Sequence, residues 1–127
     1  MKTIQLPFAG TQLALQVPDT HLKAVLESHA AAYKATASEQ ELVEQALDNP
    51  IGSPKLEELK KNKKSMVIIT SDHTRPVPSK VTMPILLRRI RQANPDIDIT
   101  ILLATGFHRP TTKEEMIDKF GKDIAEN

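Results

Sequence analysis

Two apolar runs in the second half of the chain restrict its fold more than any other feature. They are SMVIITS, at 65–71, and DITILLAT, at 98–105. Both are rich in Val, Ile and Leu with little alternation, as expected for strands buried on both faces of a parallel sheet. Parallel neighbours need a long crossover connection, which is usually a helix. The pattern therefore predicts two parallel strands with a helix between them.

Helical patterns follow each run. The segment PILLRRIRQANP has apolar residues at helical spacing, and its Pro84 is expected in the first turn or at a kink. The segment TTKEEMIDKFG begins with Thr111 and Glu114 at the spacing of a capping box and ends at Gly121. Residues 65–121 are therefore predicted to form β-α-β-α, a Rossmann-like α/β arrangement.

The first half of the chain predicts a hairpin and short helices. Alternation in TIQLPFAGTQLALQV, on both sides of a Pro-Phe-Ala-Gly break, predicts a β-hairpin over 3–17. Residues 19–37 have helical composition but a loose apolar stripe, and fit either a helix or an irregular segment. The segment SEQELVEQALDNP begins with Ser38 in a capping box and predicts a short helix. Pro54 predicts the start of another, which runs into the lysines of KKNKK at 60–64.

The composition narrows the class of protein. A chain of 127 residues is about one domain. It has no cysteine, which excludes disulfides, thiolate nucleophiles and Cys-ligated metals. It has no signal-peptide core and no run approaching the ~18 apolar residues of a membrane span. A net charge of +1 gives little attraction for nucleic acid. We therefore expect a cytoplasmic protein with neither membrane nor nucleic-acid partners.

Two polar stretches follow the two predicted strands. They are TSDHTRPVPSK, at 70–80, and ATGFHRPTTKEE, at 104–115. Parallel strands joined by one crossover helix end at the same edge of the sheet, where ligands of open α/β proteins bind, so both stretches are expected to face one site. Arg75-Pro76 of the first aligns with Arg109-Pro110 of the second, which predicts two loops of similar shape.

The residue types in these loops suit an anionic ligand and proton transfer. Arg75 has a planar fork of donors for a carboxylate or phosphate, and His108 can move a proton near neutral pH. Neither GxGxxG nor GxxxxGK[ST] is present, so the usual dinucleotide fingerprint and the P-loop are absent. A simpler interpretation is that Asp72 and Thr74 cap a helix or satisfy loop amides, and that His73 is a solvated loop residue.

The motifs SDHTRPVPSK and ATGFHRPTTKEE, together with ALDNPIGSPKLEEL upstream, resemble the N-terminal domain of the lactate racemase family. The resemblance implies a larger two-domain α/β protein that holds a nickel-pincer nucleotide, Ni(II)-pyridinium-3,5-bisthiocarboxylic acid mononucleotide, between its domains. It also implies that hydride moves from the α-carbon of a 2-hydroxy acid to the cofactor and back, while a histidine removes the hydroxyl proton. On this interpretation residues 1–127 are an N-terminal catalytic and cofactor-binding domain, a fragment without its C-terminal domain.

The resemblance also implies roles for individual residues. His108 matches one of two acid/base histidines. Asp72, His73, Thr74 and Arg75 match the cofactor contacts, and Arg75 is also placed to orient the substrate carboxylate or the charge of the cofactor. The second catalytic histidine, the cofactor-tethering lysine and the nickel ligand are expected outside this chain. No metal ligand is therefore expected within it, and the fragment alone is expected to be inactive.

Two other functions are compatible with the residues. One is a non-catalytic module that binds phosphate or carboxylate through Arg75, Arg109 and the loop backbones. The other is a metal-dependent hydrolase, although the histidines have no familiar ligand spacing such as HExxH. The sequence does not distinguish lactate from malate or sugar-derived hydroxy acids as the substrate.

Overall fold

The computed structural model describes residues 1–59 and 63–126 of the chain, which divides into two compact units, Met1–Ala35 and Thr36–Asn127. The predicted continuation of the second short helix into the lysine-rich segment lies, at 60–62, outside the described residues. No helix in the described part of the chain is both long and apolar enough to cross a membrane.

The first unit contains the predicted hairpin. Strands β1 (Lys2–Phe8) and β2 (Thr11–Val17) pair antiparallel over their whole length. The turn is tighter than the four-residue break predicted, because Ala9 and Gly10 alone connect the strands, both with positive φ. Positive φ at both central residues gives a turn whose twist matches that of the strands. The ambiguous segment after the hairpin is irregular apart from two short 3₁₀ turns.

Two short helices open the second unit. Helix α1 (Glu39–Asp48) has the predicted capping box, in which the Glu41 amide donates to Ser38 Oγ and the Ser38 amide donates to the Glu41 carboxylate. Helix α2 (Leu56–Leu59) begins later than predicted, because the Lys55 carbonyl, and not a group at Pro54, accepts from the first helical amides.

The predicted βαβα unit is confirmed. Strands β3 (Ser65–Ser71) and β4 (Asp98–Ala104) pair in parallel, and helix α3 (Ser79–Ala93) connects them. Helices α4 (Lys113–Phe120) and α5 (Lys122–Ala125) follow. Both α1 and α2 pack against α3, where Arg89 binds carboxylates of Glu44, Asp48 and Glu57. The following apolar side chains form the buried core: Met83, Ile85, Ile90, Ile97 and Phe120.

Pro84 lies inside α3, five residues after its first residue, so the first-turn position predicted for it is wrong, whereas the alternative of a kink stays a prediction. The burial predicted for the two strands is wrong. The strands are not buried on both faces, since burial alternates along each and the side chains of Val67, Ile69 and Leu102 are 59%, 71% and 51% exposed. The apolar character of both strand faces therefore exceeds what the described helices cover.

Candidate active site

The two polar loops lie side by side at the carboxyl end of the sheet. The register pairs Ser71, the last residue of β3, with Ala104, the last residue of β4. The loop after β3, at 72–78, and the loop after β4, at 105–112, therefore leave adjacent strands at the same level. The prediction that the two stretches meet is confirmed by several direct contacts between them.

Asp72 is the buried centre of these contacts, with 1% of its surface exposed. Its Oδ1 accepts hydrogen bonds from Thr74 Oγ1 at 2.7 Å and from the Thr74 amide at 3.1 Å. Its Oδ2 accepts from His108 Nδ1 at 2.6 Å. These bonds, first that of the Thr74 hydroxyl and then that of His108, outweigh burial and hold the Asp72 pKa well below its usual value. Asp72 is therefore an ionised carboxylate at neutral pH.

The helix-cap interpretation of Asp72 and Thr74 is wrong. Helix α3 begins after Pro78, and its N-cap makes no side-chain hydrogen bond. Asp72 does satisfy one loop amide, that of Thr74, but its second oxygen is used by His108 from the other loop. Its role therefore extends beyond local loop structure.

His108 presents one ring nitrogen to the protein and the other outward. Its Nδ1 donates to Asp72 and lies 3.4 Å from Thr74 Oγ1, while Nε2 has no hydrogen-bond partner within residues 1–59 and 63–126. The side chain is 46% exposed. A tight turn from Thr105, with positive φ at Gly106, places it there. Because Asp72 fixes the proton on Nδ1, Nε2 is the ring nitrogen left to accept a proton.

His73, in the loop after β3, contacts residues that follow β4, so its interpretation as a solvated loop residue is wrong. Its Nδ1 lies 3.4 Å from Thr111 Oγ1, and its Nε2 lies 3.6 Å from Glu115 Oε1. Only 21% of its side chain is exposed. Sequence reasoning did not identify Thr111 or Glu115 as partners. The doublets Thr111-Thr112 and Glu114-Glu115 offered a signal for these contacts. A capping box uses only one residue of each doublet, so the other is available for a different contact.

The capping box of α4 is displaced by one residue from its prediction. Thr112 Oγ1 accepts from the Glu115 amide, and the Thr112 amide donates to the Glu115 carboxylate. Both Thr111–Glu114 and Thr112–Glu115 satisfy the spacing. The observed choice leaves Thr111 to contact His73.

The two arginines do not have equivalent surroundings. Arg109 forms a bidentate pair with Glu115 at 2.6 and 2.9 Å, which raises the Arg109 pKa and lowers the Glu115 pKa to about 2. The guanidinium of Arg75 has no hydrogen bond or ion pair among the described residues. Arg75 is therefore the cation of these loops that is available to an anionic ligand.

Two clefts meet at Arg75. One, of about 500 Å³, is also lined by Ser71, Asp72, Gly106 and His108. The other, of about 460 Å³, is lined by His73, Ser79, Lys80 and Lys119 among others. Ser71 Oγ is buried with no hydrogen-bond partner in the described structure. No group of three or more metal-ligating side chains is arranged to hold an ion within the described residues, so the hydrolase hypothesis has no supporting donor set.

The fold and site thus define an α/β domain with an aspartate–histidine pair at the carboxyl edge of a parallel sheet. Residues 8–127 match the family described as the lactate racemase N-terminal domain, and the chain belongs to that family. It is 50% identical over 127 residues to a lactate racemase of Thermoanaerobacterium thermosaccharolyticum and 54% identical to one of Lactiplantibacillus plantarum. Each of these two matches covers all of this chain and 30% of the relative's length.

A solved structure supports the same relationship. The lactate racemase apoprotein from Thermoanaerobacterium thermosaccharolyticum superposes with a TM-score of 0.87 at 47% identity, covering 99% of this chain and 28% of that one. The predicted fold class and family are therefore confirmed. The chain corresponds to less than a third of these longer relatives.

Proposed function

We propose that these 127 residues form the part of a 2-hydroxy-acid racemase or epimerase that provides one acid/base histidine and the cofactor-binding loop. The observation that supports this most directly is the 2.6 Å contact between buried Asp72 and half-exposed His108. It joins the two family motifs and leaves one imidazole nitrogen facing the cleft.

Asp72 and His108 suit proton transfer at an α-hydroxyl group. The ionised Asp72 holds the Nδ1–H tautomer and stabilises the imidazolium that forms when Nε2 takes a proton. His108 Nε2 then removes the hydroxyl proton of one enantiomer as its C–O bond becomes a carbonyl and the α-hydrogen leaves as hydride, and it returns a proton to that oxygen in the reverse direction. The second histidine, which we place outside this chain, would serve the other enantiomer. Because the Asp72 pKa is far below its usual value, this support persists over the whole neutral range.

Arg75 is placed to bind a carboxylate. It follows the Asp72–Thr74 turn and has no ion-pair partner among the described side chains, so binding an anion there does not require an existing salt bridge to break. Its planar donors can grip both carboxylate oxygens of a 2-hydroxy acid or a charged group of the cofactor. A bound carboxylate would then lie in the cleft that His108 also lines.

The loop residues fit the nickel-pincer nucleotide. Ser71 Oγ is a buried hydroxyl without a hydrogen-bond partner in the described structure, beside the stretch Asp72–Arg75. An unsatisfied buried hydroxyl is costly unless a ligand uses it. Asp72, His73, Thr74 and Arg75 would hold the nucleotide, which supplies a hydride acceptor when bound. We place the lysine that tethers it, its nickel ligand and the second histidine in the rest of the longer protein.

A chimaera tests this function. In it, these 127 residues replace the matching part of the Lactiplantibacillus plantarum relative, and interconversion of D- and L-lactate is followed by chiral chromatography. We expect an active chimaera, and we expect His108→Ala to abolish turnover, whereas His21→Ala, an exposed histidine of the first unit, should not. Unchanged turnover in His108→Ala would refute the assignment. The 127 residues alone should be inactive.

A second candidate is a non-catalytic anion-binding module, and it is favoured by Arg75, which has no ion pair among the described side chains and lines a cleft with Ser71. Arg109 does not support it, because Glu115 already neutralises that side chain. Calorimetric titration of the isolated chain with inorganic phosphate and with lactate separates the two functions. Tight binding to the isolated chain, together with an inactive chimaera, would favour the module.

A further inference from the structure

The carboxylate of Glu115 makes more contacts than a helix cap requires. In the capping box of α4 it accepts one hydrogen bond, from the Thr112 amide at 2.9 Å. Its two oxygens also accept from both terminal nitrogens of Arg109, and Oε1 lies 3.6 Å from His73 Nε2. Three quarters of its side chain is covered, since 25% is exposed. A charged group in this setting acts on its neighbours more strongly than one fully in water.

These extra contacts reach both loops next to the proposed acid/base pair. His73 directly follows Asp72, and Arg109 directly follows His108. One carboxylate on α4 therefore contacts the neighbour of each partner in the Asp72–His108 hydrogen bond. Thr111 Oγ1 adds a contact to the other nitrogen of His73. A shift of either loop would disturb a 2.6 Å bond whose strength depends on alignment.

We infer that Glu115 is a positioning residue, whose carboxylate fixes the residues beside Asp72 and His108 and so holds the His108 ring with Nδ1 toward Asp72. This inference rests on the proposed function, because the orientation of His108 matters only if its Nε2 exchanges protons with a ligand. Glu115 itself touches no reacting atom. Its contribution is to the geometry of the pair.

Two variants separate positioning from capping. Glu115→Gln keeps a carbonyl oxygen for the Thr112 amide but loses the charge that binds Arg109 and His73. Thr112→Ala removes the hydroxyl that caps the Glu115 amide and leaves the carboxylate in place. Glu114→Gln is the matched control, since it removes a neighbouring charge of the same helical turn that interacts with Thr112 but, among the described residues, has no ion pair with Arg109 or His73.

The readout is the tautomer of His108 in the 127-residue chain, measured from its ring ¹⁵N chemical shifts near neutral pH, beside the melting temperature. We expect the wild-type chain and Glu114→Gln to show the Nδ1–H tautomer. Glu115→Gln should shift His108 toward a mixture of both tautomers, and its melting temperature should also fall because the ion pair with Arg109 is lost. Thr112→Ala should lower the melting temperature by several degrees and leave the tautomer unchanged.

A Glu115→Gln chain that keeps the wild-type His108 tautomer would overturn the inference. If its melting temperature fell as in Thr112→Ala while the His108 signals stayed fixed, Glu115 would be only a cap. If Glu115→Gln does not fold, Arg109→Met decides, because it removes the other half of the ion pair without touching the cap, and a shift in the same direction is expected.

The chimaera provides a kinetic measurement that keeps this inference distinct from the proposed function. Glu115→Gln should lower kcat about tenfold with little change in KM for lactate, since an orientation defect acts on the proton-transfer step. An active chimaera insensitive to Glu115→Gln would refute the positioning role and leave the function of His108 intact. An active chimaera insensitive to His108→Ala would refute the function itself.

Discussion

The loop after β3 and the loop after β4 look alike in sequence but use their charges differently. Each contains an Arg-Pro pair at an equivalent position, Arg75-Pro76 and Arg109-Pro110. Arg109 is held by Glu115 in a bidentate pair, whereas Arg75 has no ion-pair partner among the described residues. The acidic and basic members of the proposed catalytic pair are also divided, with buried Asp72 in the first loop and half-exposed His108 in the second.

The cause of the difference lies six residues downstream. The residue at that spacing after Arg109 is Glu115, in the first turn of α4, whereas after Arg75 it is Val81 in α3. An acidic residue in the first turn also interacts favourably with the helix dipole, so α4 stabilises the carboxylate that neutralises Arg109. The second loop is thus stabilised by its own ion pair, and the first keeps a cation for a ligand.

The largest effect is expected from removing the charge that one loop supplies to the other. Asp72→Asn keeps the shape of the side chain but cannot hold a negative charge beside His108, and its amide group favours the wrong tautomer. We expect kcat of the chimaera to fall on the order of 10³-fold. The exposed Asp96→Asn, in the turn before β4, is the control. A kcat within a factor of about three of wild type would show that Asp72 does not support His108.

The two arginines should differ clearly when each is truncated. Arg75→Ala should lower kcat/KM of the chimaera about 10²-fold, because a charge-assisted bidentate contact to a carboxylate is lost. Arg109→Ala should lower it by no more than about tenfold, since its charge is already neutralised within the protein. Arg75→Lys should recover only part of the loss, because an ammonium cannot make the same planar contact. Equal effects of both alanine variants would contradict the comparison.

The sequence predicts that the two loops meet, but it does not predict how their arginines differ. The apolar runs and the helical spacing between them predicted the βαβα unit and the meeting of the two loops, because strand order and crossover rules leave few alternatives. Whether an arginine of these loops forms an ion pair depends on which glutamate of α4, Glu114 or Glu115, reaches it. Two overlapping capping boxes, Thr111–Glu114 and Thr112–Glu115, were equally compatible with the spacing, and only tertiary contact with His73 selects between them.

The exposed face of the sheet shows a second limit of sequence reasoning. Continuous apolar strands predict burial on both faces, yet Val67, Ile69 and Leu102 are exposed in this chain. The apolar pattern predicts burial on both faces of the sheet, whereas in the described structure burial alternates along each strand and one face is exposed. The chain spans 30% of the length of each of the two lactate racemases that it matches.

Acid should weaken the second loop through Glu115. The pKa of this carboxyl group is about 2 in the folded chain, lowered from 4.5 by hydrogen bonds from Arg109 and from the Thr112 amide. Because the folded value lies below the unfolded one, the stabilisation is complete above pH 4.5 and is lost as the pH falls toward 2. We expect urea unfolding to show a free energy of unfolding that declines over this window, less steeply in Glu115→Gln.

The control for this titration is Glu27→Gln, an exposed glutamate of the first unit. It should retain the wild-type dependence on pH. If Glu115→Gln and wild type declined in parallel between pH 4.5 and pH 2, the Arg109 pair would not contribute to folding stability, and the second loop would have to be stabilised in another way.

The smallest effect separates the two threonines at the start of α4. Thr112→Ala removes the N-cap hydroxyl and should cost about 1 kcal/mol, which corresponds to a melting temperature lower by about 4 °C in a domain of this size. Thr111→Ala removes only the 3.4 Å contact to His73 and should lower the melting temperature by less than about 2 °C. Calorimetry on the two single variants measures both. Because the threonines are adjacent and chemically identical, a greater loss in Thr111→Ala would mean that the capping box begins one residue earlier, which would free Glu115 from the cap and Thr112 from the helix terminus.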